Sequence, residues 1–111
     1  MCRWLAYSGP RIPLSSLIMA PENSLIRQSR AALQSASSTN GDGFGIGWYD
    51  SQPQPGLFRD TLPAWNDENL CNLSEQVSSG LFLAHVRAST GTITSRANCH
   101  PFCHGRWLFM H

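Results

Sequence analysis

The chain has 111 residues, of which 41% are hydrophobic and 14% are charged, and it carries a formal net charge of +1. This length fits one small domain, and a near-neutral chain without a basic run or an acidic tail is not expected to bind nucleic acid. No apolar stretch approaches the ~20 residues that span a bilayer. The N-terminal segment also lacks the apolar core of a signal peptide, so we expect a cytoplasmic protein without a membrane partner.

The first third of the chain predicts a strand, a loop and a helix. Residues 3–8 form a mostly apolar stretch that ends in a Ser-Gly-Pro sequence, which is typical of a strand followed by a turn. Residues 10–22 contain three prolines and predict a loop with a short helical turn. In 23–35 the apolar residues recur at helical spacing behind possible capping residues, and we expect a helix there.

The segment NGDGFGIGWYD contains three large side chains that alternate with three glycines: Phe44, Ile46 and Trp48 with Gly43, Gly45 and Gly47. A period of two predicts a strand, and one face of this strand is bare of side chains. Glycine within a strand allows another backbone or a ligand to approach closely. The glycines are not a dinucleotide-binding fingerprint, because that motif requires a strand, a turn and a helix in that order. Asp42 either orients neighbouring amide groups or is an ordinary turn residue.

Four further elements are predicted in the second half of the chain. Residues 57–60 predict a short partner strand. A helix is expected over about 67–77, with apolar residues along one side. Residues 81–88 predict the clearest strand, because their side chains alternate between two faces. A last strand is predicted over 105–111. Because the chain stops within this strand and an open strand edge promotes aggregation, we expect residues 1–111 to be the N-terminal portion of a longer domain.

Cys2 directly follows the initiator methionine. Removal of Met1 would leave a thiol and an α-amine on the same residue. The ordinary pKa of an α-amine is roughly 7.7–8.0, so a useful fraction is unprotonated near neutral pH and can accept the thiol proton, directly or through a water. Cys2 is therefore a candidate nucleophile that carries its own base. The alternative is that it packs as a small apolar residue.

The segment LAHVRAST puts His85 and Arg87 on one face of the strand predicted over 81–88. An arginine near the end of an apolar strand needs solvent or a carboxylate partner, and its guanidinium can bind a substrate carboxylate in a bidentate way. Two hypotheses stay open for Arg87: a substrate-binding residue, or a surface or ion-paired arginine. His85 alone is more typical of a hydrogen-bonded interior histidine than of a catalyst.

The segment NCHPFCHG concentrates cysteine and histidine: Cys99, His100, Cys103 and His104. The spacing matches neither a paired zinc motif nor a haem attachment sequence, and structural zinc sites usually take ligands from two separated segments. We therefore predict no metal site and no other cofactor, and interpret the segment as a turn with two partly buried thiols. Without an export signal the four cysteines, which include Cys2 and Cys71, are expected to stay reduced.

Five segments together resemble one protein family: MCRWLAYSG, NGDGFGIGWY, PAWNDENL, LAHVRAST and NCHPFCHGRWLFMH. They are similar to the class II, or N-terminal nucleophile, glutamine amidotransferase domain, and within it to the YafJ-like branch, which also contains γ-glutamyl hydrolases of thiol metabolism. The resemblance implies an α+β fold of the N-terminal nucleophile hydrolase type, an αββα four-layer sandwich in which two antiparallel sheets pack between helical layers. Residues 1–111 would be the N-terminal portion of a single glutaminase domain of this kind.

The resemblance also implies a reaction and the residues that perform it. Cys2 would attack the side-chain amide of glutamine, or another γ-glutamyl bond, and form a γ-glutamyl thioester that water then hydrolyses. By match to the family motif, Arg87 would bind the α-carboxylate of the substrate and Thr90 would help to orient it. The residues expected to shape the site are Asn40, Asp42, Gly43 and His85.

Two family features lie outside residues 1–111. The resemblance implies an Asn-Gly pair after His111 that forms the oxyanion hole, and a later aspartate that binds the amino group of the substrate. Since the loss of an oxyanion donor typically lowers the rate by ~10²–10³, we expect residues 1–111 alone to be poorly active or inactive.

Three functions are open at this point. The first is a glutaminase that supplies ammonia to a synthase, the second is a γ-glutamyl peptide hydrolase that transfers no ammonia, and the third is a non-catalytic remnant of the fold that serves as a binding subunit. The expected ligand is glutamine or a γ-glutamyl compound. The expected protein partner is an ammonia-accepting synthase or a second copy of the chain.

Overall fold

Helices and antiparallel strands make up the fold. It is known from a computed structural model, which describes residues 3–19, 43–61, 68–87 and 96–110. In chain order the elements are β1 (Arg3–Pro13), α1 (Ser15–Ile18), β2 (Phe44–Tyr49), β3 (Gly56–Asp60), α2 (Glu68–Gln76), β4 (Ser78–Val86), a short 3-10 helix (Arg96–Asn98), β5 (Phe102–His104) and β6 (Trp107–Phe109). The predicted α+β class is confirmed, and α1, β2, β3 and α2 lie where the sequence predicts them.

The four-stranded sheet has the order β1-β4-β2-β3, and each neighbouring pair is antiparallel. β4 is therefore an inner strand between β1 and β2. It is the strand predicted over 81–88, with observed bounds at Ser78 and Val86. Because side chains alternate across a strand, Phe82 and Ala84 point to one face and Leu83 and His85 to the other.

One face of the sheet packs against the two described helices. The buried apolar side chains of this face and of the helical segments form one cluster: Leu14, Ile18, Phe44, Ile46, Leu70, Phe82, Ala84 and Val86. Full burial of one large apolar side chain is worth roughly 1.5–3 kcal/mol. This cluster therefore holds α1 and α2 against the sheet.

The opposite face of β2 carries glycines instead of side chains, and the β5–β6 hairpin packs directly on it. A Cβ atom at Gly45 would overlap the carbonyl oxygen of His100, and one at Gly47 would lie 2.6 Å from the Cδ1 atom of Leu108. The prediction that these glycines allow close approach is confirmed, and the approaching segment belongs to the same chain.

Hydrogen bonds fasten the hairpin at both of its ends. The hydroxyl of Tyr49 donates to the carbonyl oxygen of Arg106 at 2.6 Å and accepts from the backbone N–H of Leu108 at 2.9 Å. Near the other end, Arg59 in β3 donates from Nη1 to the carbonyl oxygen of Cys99 at 3.2 Å. Polar side chains of the sheet thus satisfy backbone groups of the hairpin that would otherwise lose hydrogen bonds on burial.

β1 is longer than predicted. We expected the strand to end at Ser8, but it continues to Pro13 with a shift in register between Ser8 and Ile12. Proline is tolerated at bulges in outer strands, and β1 is an outer strand of the described sheet. The hydroxyl of Tyr7 donates a hydrogen bond to the carbonyl oxygen of Pro10 at 2.7 Å and stabilises the bulge.

The C-terminal part also differs from the prediction. The strand predicted over 105–111 is confined to Trp107–Phe109 and is the second strand of a hairpin, and the segment interpreted as a turn contains β5. Gly105 has a φ of +59°, a left-handed conformation that suits the tight turn between the two strands. The helix predicted over 23–35 lies outside the described residues. Within the described part of the chain, no helix has the length and apolarity needed to cross a membrane.

Replacement of Gly45 by alanine tests the contact between β2 and the hairpin. The added methyl group would overlap the His100 carbonyl, so β2 or the hairpin must shift. Overpacking of this kind costs about 1–3 kcal/mol, and we expect the free energy of unfolding to fall by about 2 kcal/mol or more. Urea unfolding followed by tryptophan fluorescence measures the change.

The matched control is Gly105→Asn. The space around Gly105 is open, and asparagine tolerates a positive φ, so the loss should stay below about 1 kcal/mol. Equal losses in the two variants would contradict the steric argument.

Candidate active site

Three chain segments meet at one end of the four-stranded sheet. The register pairs Val86 in β4 with Arg3 in β1 on one side and with Phe44 in β2 on the other. Arg87 follows Val86, and Gly43 precedes Phe44, so two residues predicted for the site are neighbours. The start of β1, the end of β4 and the start of β2 therefore lie side by side.

Gly43 occupies a conformation and a space that suit glycine alone. Its φ is +107°, which residues with a Cβ atom rarely adopt. A Cβ atom there would lie 2.6 Å from the carbonyl oxygen of Asp60 and 2.8 Å from the Sγ atom of Cys99. Its carbonyl oxygen accepts a hydrogen bond from the backbone N–H of Arg87 at 2.9 Å. We call these four residues, Gly43, Asp60, Arg87 and Cys99, the Gly43 junction.

Arg87 is buried, with 7% of its surface exposed. A guanidinium keeps its charge in proteins, and the removal of that charge from water is costly unless it is compensated. The charge contributes to the lowered pKa of His85, and it counteracts the rise that burial causes in the pKa of Cys99. The hypothesis of a surface arginine is therefore wrong. A buried cation at the end of the sheet is suited to an anionic group such as a carboxylate.

His85 is an interior histidine, with 3% of its surface exposed. Its Nε2 atom lies 3.3 Å from the Nδ1 atom of His100, and the two rings meet edge to face with 4.5 Å between their centroids. Burial, the neighbouring His100 ring and the charge of Arg87 together lower the pKa of His85 to about 4. The imidazole of His85 is therefore neutral near pH 7, and its contact with His100 joins the sheet to the hairpin.

A cavity of about 310 Å³ adjoins His85. Its lining includes Trp4, Leu83, His85 and Met110. Trp4 stands opposite His85 in the register of β1 and β4, and the Nδ1 atom of His85 is buried without a hydrogen-bond partner among the described residues. Because none of these four side chains is charged near pH 7, they cannot bind a carboxylate by ion pairing.

The cysteines near the hairpin differ from the prediction of two partly buried thiols. Cys99 is completely buried, whereas Cys103 in β5 is exposed. Burial raises the pKa of the Cys99 thiol, which therefore stays protonated near neutral pH. The thiol donates a hydrogen bond to the carbonyl oxygen of Asp60 at 3.4 Å. Within the described ranges, no group of three or more His, Cys, Asp or Glu side chains is arranged to hold a metal ion.

Four of the predicted site residues lie outside the described residues: Cys2, Asn40, Asp42 and Thr90. Their roles stay predictions, and the structure relates Gly43, His85 and Arg87 to one another. Sequence reasoning missed the buried neighbours Cys99 and His100 as parts of this arrangement. The glycines of β2 indicated a close approach, but the sequence did not indicate which segment makes it.

Stability in mild acid should depend on His85. An imidazole in the unfolded chain has a pKa of about 6.5, whereas the pKa of His85 in the folded chain is about 4. Between these values the unfolded chain binds the proton more strongly, so the free energy of unfolding falls as the pH decreases. The loss should be on the order of 3 kcal/mol over the whole interval. Urea unfolding near neutral pH and at about pH 5 measures it.

His85→Leu should remove most of this pH dependence. His104→Leu changes an exposed histidine in β5 and should leave the dependence as it is. A His85 variant with the full acid sensitivity of the unmodified chain would show that another group is responsible.

Comparisons with known proteins identify the family of the chain. A profile of the Glutamine amidotransferases class-II matches residues 22–111. The chain is 44% identical over 120 residues to the probable glutamine amidotransferase DUG3 of Saccharomyces cerevisiae, in a match that covers 100% of this chain and 34% of that protein. It is 34% identical over 113 residues to the γ-glutamyl-hercynylcysteine sulfoxide hydrolase of Mycobacterium tuberculosis, in a match that covers 100% of this chain and 48% of that protein.

A solved structure agrees with the sequence comparisons. A glutamine aminotransferase class-II domain protein from Silicibacter pomeroyi superimposes with a TM-score of 0.65 and 40% identity, over 96% of this chain and 34% of that one. The agreement supports a mixed fold with antiparallel sheets that is part of an N-terminal nucleophile-type architecture. The chain spans between about a third and about half of the length of these relatives. On the profile match and the shared sequence, the chain belongs to the family of class-II glutamine amidotransferases.

Proposed function

We propose that the chain is the N-terminal portion of a glutaminase domain in which Cys2 attacks the side-chain amide of glutamine. The observation that carries the proposal is the register at the end of the sheet. Arg3, which follows Cys2, pairs with Val86, which precedes Arg87. Arg3 and Arg87 therefore lie at the same end of two adjacent strands, and Cys2 is the residue that precedes Arg3 in the sequence.

The proposed chemistry uses the terminal residue as both nucleophile and base. With Met1 removed, the α-amine of Cys2 takes the thiol proton, and the sulfur attacks the amide carbon and forms a C–S bond. The proton passes to the leaving nitrogen, the C–N bond breaks and ammonia leaves. Water, deprotonated by the same amine, then cleaves the γ-glutamyl thioester to glutamate and restores the thiol.

The described residues are suited to binding rather than to proton transfer. Arg87 supplies a buried charge of the kind that an α-carboxylate requires. His85 is a weak base, since its pKa is about 4, and burial keeps Cys99 protonated and a poor nucleophile. These states favour Cys2 for the acid–base work. We assign supporting roles to Thr90, beside the substrate carboxylate, and to the turn with Asn40 and Asp42 that leads to Gly43.

Hydrolysis of γ-glutamyl peptides is the second candidate function. It is favoured by 32–34% identity to mycobacterial proteins named as γ-glutamyl-hercynylcysteine sulfoxide hydrolases. The acyl-transfer step is the same for both substrates, because glutamine and γ-glutamyl peptides both bind the γ-glutamyl carbonyl to nitrogen. The leaving group is ammonia in one case and a larger amine in the other. An ammonia-accepting synthase would be a partner only if the substrate is glutamine.

Covalent labelling of Cys2 tests the proposed nucleophile. A diazoketone analogue of L-glutamine should add to Cys2 after removal of Met1, and an excess of L-glutamine should slow the reaction. Irreversible labelling accumulates with time, so it detects even a site that lacks oxyanion donors and turns over slowly. Mass spectrometry of proteolytic fragments identifies the labelled residue.

Cys2→Ser should abolish this labelling, and Cys103→Ser, which removes an exposed thiol, should leave it unchanged. Retention of Met1, or an unlabelled Cys2, would favour the non-catalytic binding subunit. Ammonia release from glutamine, compared with cleavage of a γ-glutamyl dipeptide, separates the two enzymatic candidates.

Arg87→Lys should weaken substrate binding more than it slows the chemical step. Lysine keeps the charge but loses the planar bidentate geometry. The loss of a charge-assisted hydrogen bond costs about 1.5–3 kcal/mol, so we expect KM for glutamine to rise roughly 10- to 100-fold with kcat changed less than about threefold. Where turnover is too slow, the Kd for L-glutamine from calorimetry replaces KM. Arg106→Lys, in the exposed turn of the hairpin, is the control, and an unchanged KM in Arg87→Lys would contradict the assignment.

A further inference from the structure

We propose that Cys99 is a positioning residue for the candidate active site: its buried thiol fixes Gly43, and Gly43 in turn fixes the backbone of Arg87. The inference rests on the proposed function of Arg87 as the residue that binds the substrate carboxylate. It concerns a cysteine that the proposed reaction does not use.

The sulfur of Cys99 lies against the backbone at the start of β2 and at the end of β3. A Cβ atom at Gly43 would be only 2.8 Å from Sγ, which shows how closely the thiol approaches the glycine. The thiol donates to the carbonyl oxygen of Asp60 in β3 at 3.4 Å, and the backbone N–H of Phe44 in β2 faces the sulfur. One side chain from the hairpin region thus connects the start of β2 with the end of β3.

Cys99 is itself firmly held. Its backbone N–H donates to the carbonyl oxygen of Arg96 at 3.1 Å, and its carbonyl oxygen accepts from Nη1 of Arg59 at 3.2 Å. The side chain is fully buried. These contacts hold the thiol in a fixed position beside Gly43.

The effect reaches Arg87 through one hydrogen bond. The backbone N–H of Arg87 donates to the carbonyl oxygen of Gly43 at 2.9 Å, and Arg87 is the first residue after β4. This bond belongs to the ladder between β4 and β2 beside the Val86–Phe44 pair, so the position of the Gly43 carbonyl helps to set the direction in which the chain leaves the sheet. Small displacements of a substrate-binding group strongly reduce the efficiency of catalysis.

The chemistry of a thiol suits this position. Sulfur is large enough to fill the space beside Gly43, and a protonated thiol can donate weakly to one backbone group while it accepts from another. Alanine would leave a void beside Gly43 and would remove the hydrogen bond from the thiol to the Asp60 carbonyl. Serine would keep the hydrogen-bonding groups but has a shorter side-chain bond, so it should restore only part of the contact.

Amide hydrogen exchange in the chain tests the positioning role without any need for turnover. In Cys99→Ala the amide of Arg87 should exchange at least about 10-fold faster, because its bond to Gly43 opens more often, while the amide of Ala84 in the middle of β4 should change less than about twofold. Cys99→Ser should give an intermediate rise at Arg87. Cys103→Ala, an exposed thiol four residues along the chain, should change neither amide.

Calorimetric titration with L-glutamine links the exchange to the site. The Kd should rise about 10-fold in Cys99→Ala and be partly rescued in Cys99→Ser. If the unmodified chain binds no glutamine, the proposed function fails while the exchange measurement still tests the effect of Cys99 on Arg87. Unchanged exchange at Arg87, or an equal rise at Arg87 and Ala84, would overturn the inference. If Cys99→Ala does not fold, the intermediate rise in Cys99→Ser decides the outcome.

Discussion

The structure depends on the absence of Cβ atoms along one face of β2. Sheets that carry side chains on both facing surfaces pack at about 10 Å, but the glycines of β2 allow the segment that begins at Cys99 to touch the strand itself. The carbonyl of His100 packs against Gly45, and the side chain of Leu108 packs against Gly47. This close approach determines where the hairpin lies. It brings His100 to His85 and Cys99 to Gly43, and with them it forms the interior of the candidate site.

Burial then sets the charge of each group in that interior. Arg87 carries a positive charge, whereas burial favours the neutral form of both His85 and Cys99. The result is a buried cation at the end of the sheet, with the neutral side chains of His85 and Cys99 nearby. A buried guanidinium is suited to an anionic group such as the carboxylate of an amino-acid substrate. This arrangement also separates the binding function proposed for Arg87 from the acid–base function proposed for the terminal residue.

Family membership fits this division of roles. The class-II glutamine amidotransferase profile begins at residue 22, and the relatives match the chain from end to end. The names of those relatives include a glutamine amidotransferase and γ-glutamyl hydrolases, which share a γ-glutamyl carbonyl and differ in the group that leaves. In the proposed function, Arg87 binds the part of the substrate that is common to both. Under that proposal the choice of leaving group would depend on other surfaces, and the chain covers only about a third to about half of these relatives.

The sequence by itself determined the features that follow from local pattern. Alternation revealed β2 and β4, the bare face of β2 revealed a site of close packing, and the family motifs indicated Cys2 and Arg87. The tertiary structure decided what no local pattern contains. Only the sheet register aligns Arg3, Val86 and Phe44, and only the folded hairpin brings Cys99 to Gly43, 56 positions earlier in the numbering. The bulge that carries β1 past Ser8, the neutral state of His85 and the burial of Arg87 likewise arise from contacts between distant segments, because burial and register are properties of the packed chain and not of any short stretch of it.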